Sequence, residues 1–83
     1  MYFEATFKPS DPTEYIAEAE PLVGQRISIQ QGWILEDGPY QGELCYYIPN
    51  TTIGTIPTSH LDNIEPISYA KWREIHKHLG FSN

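Results

Sequence analysis

The segment Ile53-Gly54-Thr55-Ile56-Pro57-Thr58-Ser59-His60-Leu61, with Ile64 beyond it, constrains the fold more than any other part of the chain. Ile53 to Ile56 is strand-like. Pro57 has no amide hydrogen for a ladder, so the strand ends there or lies at a sheet edge. Thr58-Ser59-His60 has the short polar character of a single tight turn, after which Leu61 and Ile64 return apolar groups to the core.

The rest of the N-terminal two-thirds has the same short-strand character. Tyr2 to Phe7 alternates, with Phe3, Ala5 and Phe7 on one face, the period of a half-buried strand. Pro9-Ser10-Asp11-Pro12 ends it. Asp11 is then a good N-cap, Pro12 a good first helical residue, and Glu14 stands at capping-box spacing. A short helix over 12–20 is one reading, and an extended Tyr15-Ile16-Ala17-Glu18-Ala19 is the other; Pro21 breaks either. Gln25 to Gln31 predicts a strand with Ile27 and Ile29 inward, Gly32 an interruption, and Trp33 to Glu36 a second short strand. Asp37-Gly38-Pro39 is a turn, Glu43 to Ile48 a third strand of this group and Thr52 to Ile56 a fourth. Closely spaced short strands predict a small barrel or a strongly bent sheet. The expected core is Ile27, Ile29, Ile34, Leu44, Ile56 and Leu61.

The C-terminus changes period. Ser68 can cap a helix that gathers Tyr69, Trp72, Ile75, His76 and Leu79 on one stripe, while Lys71, Glu74 and Lys77 point elsewhere. Gly80-Phe81 is a Schellman ending, and late cations match the helix dipole. Trp72 is expected to pack this helix on the strands. The predicted fold class is therefore mainly β with a C-terminal α-helix: residues 1–66 form the small barrel or bent sheet and 67–83 the helix packed on it, as one domain.

Composition excludes several function classes. With 83 residues and one cysteine, Cys45, no intramolecular disulfide forms, and Cys45 reads as a small hydrophobe in its strand. No apolar run reaches membrane length and no signal-peptide order opens the chain, so a soluble, cytoplasmic protein is expected. The net charge is −6, and ten of the eleven acids but only two of the five bases fall before residue 68. Such a body repels a phosphate backbone, so direct nucleic-acid binding is not expected. His76 and His78 diverge on a helix and His60 is remote in sequence, so no metal site is expected. No phosphate loop, serine elbow or paired-carboxylate motif is present, and neither an enzyme nor a cofactor is expected.

The order glycine, any residue, isoleucine, proline, two small polar residues, a ring and an aliphatic in Gly54 to Leu61 resembles the end of a Src-homology-3 (SH3) domain. Ile27 to Gly32 is similar to that family's alternating aliphatics before a glycine turn. Tyr40-Gln41-Gly42-Glu43-Leu44 resembles the stretch that normally opens with a double tryptophan, and Ala5-Thr6-Phe7 the first strand. The resemblance implies an SH3-like barrel with a shallow groove for proline-rich peptides. Pro57 stands at the groove proline, Tyr40 at the groove tryptophan, His60 at the closing tyrosine and Phe7 at the first-strand aromatics. Acids of the long loop, Glu14 and Glu18 among them, would face a ligand arginine. The expected function is a non-enzymatic protein-protein interaction module for a proline-rich or basic peptide. The alternative is a small acidic inhibitor or decoy that occupies a basic or nucleic-acid-binding site on a larger partner. The sequence leaves the oligomeric state and the partner's identity open.

Overall fold

A computed structural model describes residues 1–81 as five strands and one α-helix: β1 (Tyr2–Phe7), β2 (Arg26–Ile34), β3 (Leu44–Tyr47), β4 (Ile56–Pro57), β5 (Leu61–Ile67) and α1 (Tyr69–His78). The strands form one antiparallel sheet in the order β4-β3-β2-β1-β5. Its two outermost strands are consecutive in sequence, joined only by a 3-10 turn, Thr58–His60. Pro57 lies in a two-residue edge strand, where its missing amide hydrogen costs no central ladder bond.

Alternation assigns the faces of the sheet. Phe3 pairs with Ile29 and Ala5 with Ile27, so these four residues share one face with Phe7. Ala5, Phe7, Ile27 and Ile29 are at most 1% exposed and join Tyr46, Ile48, Ile53, Ile56 and Leu61 in the core. The opposite face carries Tyr2, Glu4, Thr6, Arg26, Ser28 and Gln30, and α1 lies across it. Trp72 donates from Nε1 to the Ile29 carbonyl at 3.0 Å, and His76 Nδ1 lies 3.0 Å from Ser28 Oγ. Glu4 sits beneath the helix between Lys71 Nζ at 2.9 Å and Arg26 Nε at 2.8 Å. Ser68 caps α1 by accepting the Lys71 amide, and the helix ends as a Schellman turn. Phe81 N donates to His76 O and Gly80 N to Lys77 O, with Gly80 at φ 87°, a conformation that glycine adopts without a Cβ penalty. The predicted C-terminal segment 67–83 includes two positions, 82 and 83, outside the described residues; Ile67 belongs to β5, where it pairs with Tyr2.

Several sequence expectations are corrected. Gly32 does not interrupt the strand: β2 runs through it with a register shift between Gln31 and Ile34. A Cβ at Gly32 would stand 3.0 Å from Cys45 Sγ and 3.1 Å from its carbonyl, so the glycine is there for close approach of β3. That shift turns Ile34 out of the expected core, to 54% exposure, and Leu44 is only half-buried. Residues 52–55 are not strand; the pairing begins at Ile56. The undecided 12–20 segment is neither an α-helix nor extended. It forms two 3-10 turns, Pro12–Glu14 and Ala17–Leu22, because Pro21 and the short spacing between prolines allow no longer ladder. Asp11 accepts from the Thr13 amide and hydroxyl, which holds its carboxyl below the usual range. Glu14 does not complete a capping box, since its carboxylate binds Tyr40 instead.

Candidate functional site

The 3-10 turn between β4 and β5 and the long β1–β2 loop, residues 8–25, meet around His60. Pro57 sets the entry to the turn, and the Lys8 amide donates to the His60 carbonyl at 2.8 Å, pinning the loop's start beside it. The imidazole therefore points inward and is 1% exposed. Ser10 Oγ lies 3.4 Å from its Nε2 and Tyr15 Oη 2.7 Å from its Nδ1, so both ring nitrogens of a buried imidazole have partners, as burial requires.

A chain of rings covers this spot. Phe7 meets Tyr15 edge-on at 5.0 Å between centroids, Tyr15 meets His60 at 5.8 Å, and Tyr40 meets His60 at 4.7 Å. Tyr40 Oη donates to both Glu14 carboxylate oxygens, at 2.8 and 2.9 Å. On the other side, Glu43 accepts from the Ser59 amide at 2.9 Å and the Ser59 hydroxyl at 3.2 Å. Both phenols remain protonated, and Tyr40 is a donor. Burial pushes Tyr15 far above the ordinary tyrosine value, and the Glu14 hydrogen bond raises Tyr40.

Phe7, Tyr40, His60 and Glu14 are thus brought into one cluster, although not in the form the resemblance implies. Phe7, Pro57 and His60 are buried, so none of the three offers a free ring face. Tyr40 is half-buried and Glu14 exposed. Glu18 sits exposed in the second 3-10 turn, apart from the ring chain. Sequence reasoning missed Tyr15, which covers His60, and Glu43, which braces the turn. The only local signal for Tyr15 was an aromatic residue between two prolines.

The loop itself forms an open cleft of about 610 Å³, lined by Pro12, Tyr15, Ile16, Ala17 and Glu20, with Val23 at its end. Ile16 and Val23 are 40% and 38% exposed. Glu14, Glu18 and Glu20 lie on this same stretch. Among the described residues the ion pairs join Lys8 to Asp62, Arg26 to Glu4 and Glu65, and Lys71 to Glu4, so no cation neutralises these three acids. Among the described residues no group of three or more histidine, cysteine or carboxylate side chains has a metal-holding arrangement, and no helix is long and apolar enough to cross a membrane. What the arrangement offers is a ring-and-proline surface bordered by carboxylates that no cation among the described residues pairs.

Comparison with known protein families, with curated proteins and with solved structures finds no match to this chain.

Proposed function

We propose that this protein is a non-enzymatic protein-interaction module of SH3-like topology that takes a basic, extended peptide across its long loop. The strand order, the single 3-10 turn between the two outermost strands and the long loop folded over that turn support the SH3-like reading. The observation that carries the function is the cleft beside Tyr15, with Glu14, Glu18 and Glu20 on its stretch of chain and no cation paired to them among the described residues. Flat rings and a proline favour an extended proline-rich backbone, and unpaired acids favour a flanking lysine or arginine. The proposed ligand site is centred on the loop and not on the expected Pro57–His60 groove. In this reading His60 supports the rings of Tyr15 and Tyr40 from beneath, while the two tyrosines and the loop meet the peptide.

The test is a titration of isotope-labelled protein with proline-rich peptides, with and without an arginine, followed by amide shifts. Shifts at Ile16, Glu20 and Tyr40, stronger for the arginine peptide and weakened by salt, are the expected outcome. Absence of any shift at millimolar peptide overturns the reading. Binding that follows only the positive charge of the ligand and spreads to Glu36 and Asp37 would favour an acidic decoy for a basic site instead.

A further inference from the structure

We infer that the end of β2 is a self-association edge, through which two copies of this chain pair antiparallel. β1 engages β2 only from Arg26 to Gln30, where Tyr2 meets Gln30. Beyond Gln30, Gln31 and Ile34 pair with β3 on one side, and among the described residues no strand pairs with Gln31 to Ile34 on the other. An open strand edge presents backbone donors and acceptors that a further strand satisfies.

The other edges of the sheet are guarded. β4 is two residues long and ends in Pro57. β5 carries Pro66, exposed Asp62 and Glu65, and a left-handed Asn63 at φ 52°, while Arg26 Nη1 occupies the carbonyls of Asp62 and Asn63. The β2 end has neither of these residue-level guards, since Gln30-Gln31-Gly32-Trp33-Ile34-Leu35 holds no charge and no proline; its only irregularity is the register shift between Gln31 and Ile34. Its side chains are also exposed apolar groups, with Trp33 56% and Ile34 54% exposed.

The surroundings extend the apolar surface. Tyr2, Gln30 and Tyr47 stand abreast on three neighbouring strands, and Tyr47 Oη donates to Gln30 Oε1 at 3.0 Å. Tyr69, 48% exposed, lies 4.9 Å from Tyr2 at one end of this row, and Trp33 lies 6.4 Å from Tyr47 at the other. Aromatic side chains bury roughly 150–250 Å² each, so the half-exposed Trp33 and Tyr69 with Ile34 contribute a substantial part of the roughly 800 Å² per partner of a standard interface.

Charge selects the occupant. A basic partner finds no carboxylate on the Gln30–Leu35 run, whereas a second copy presents the same uncharged run, and an antiparallel edge is its own complement under a twofold axis. Because the remaining edges are guarded, pairing closes at two copies and does not propagate. The long-range repulsion between two chains of net charge −6 opposes approach, so salt strengthens this association, opposite to its effect on the peptide site.

The experiment is analytical ultracentrifugation of the full chain from micromolar to millimolar concentration, at low and high salt, with hydrogen exchange at both concentration limits. Apparent mass should double with concentration, more readily at high salt, and amides between Gln31 and Ile34 should gain protection. Trp33→Lys and Ile34→Lys should each weaken the dimer by roughly tenfold or more while the unfolding midpoint stays that of a folded domain. A monomer at every concentration and salt overturns the inference. So does a dimer that survives both lysine substitutions, or a basic peptide that shifts Trp33 and Ile34 while the protein stays monomeric.

Discussion

On one face of the β1–β2 ladder, Ala5, Phe7, Ile27 and Ile29 pack into the aliphatic cluster; on the other, Glu4, Arg26 and Ser28 lie under a helix. These are alternate residues of the same two strands, yet the faces are closed by different physics. The first is closed by non-directional burial of apolar area, which depends on shape and volume. The second is closed by directional bonds: the Trp72 indole on a backbone carbonyl, His76 on Ser28, and Lys71 with Arg26 on the Glu4 carboxylate. A polar layer of this kind holds a helix in one position, because each unmade bond leaves a buried polar group without its partner.

That contrast ranks the expected losses. Ile29→Ala removes a fully buried side chain from the apolar face and should cost about 2–5 kcal/mol in chemical denaturation. The neighbouring Ile34→Ala should change stability by less than about 0.5 kcal/mol, as surface substitutions do. Equal losses at Ile29 and Ile34 would break the assignment of faces.

Trp72→Phe keeps a ring under the helix but removes the donor to the Ile29 carbonyl. The expected cost is about 1–3 kcal/mol. Hydrogen exchange should show the loss concentrated in α1, since the apolar face is untouched. A uniform loss across the sheet would mean that the two faces form one cooperative layer.

The smallest expected loss on the polar face is a pH dependence at Glu4. The Lys71 ammonium, followed by the Arg26 guanidinium, holds this carboxyl below its ordinary value near 4.5, against a burial effect that raises it. A depressed folded value stabilises the protein above the ordinary carboxylate range, and that stabilisation is lost as pH falls through the folded value. Glu4→Gln should therefore cost about 1 kcal/mol at neutral pH and flatten the acid limb of the stability curve. Asp11 contributes a limb of the same sign, so the variant's curve flattens without becoming level. An unchanged acid limb in Glu4→Gln would remove the carboxylate from the account of helix docking.

Much of this architecture was legible in local pattern. The alternation of Phe3, Ala5 and Phe7 and of Ile27 and Ile29 assigned the buried face, because a strand's period is two wherever one face is covered. Pro57 announced a strand that stops or lies at an edge, and Gly80-Phe81 announced the end of α1. The site was less legible. Phe7, Tyr40, His60 and Glu14 do converge, yet Tyr15 was hidden in a segment whose prolines allow only 3-10 turns, and its role depends on a contact with His60, 45 positions away.

By itself the sequence determined the mainly-β class, the inward residues of β1 and of β2 as far as Ile29, the proline-ended strand and the capped C-terminal helix, since each follows from period, propensity or the chemistry of one or two adjacent residues. The tertiary structure alone decided that His60 faces inward beneath Tyr15, that Ile34 turns to solvent past the register shift at Gly32, and that the polar face of β1 and β2 is a second, partly buried layer centred on Glu4 and Ser28. Those outcomes depend on which distant groups come to share a dry environment. Alternation says that Glu4, Arg26 and Ser28 point the same way, and only the docked helix says that Glu4 and Ser28 are buried on that side.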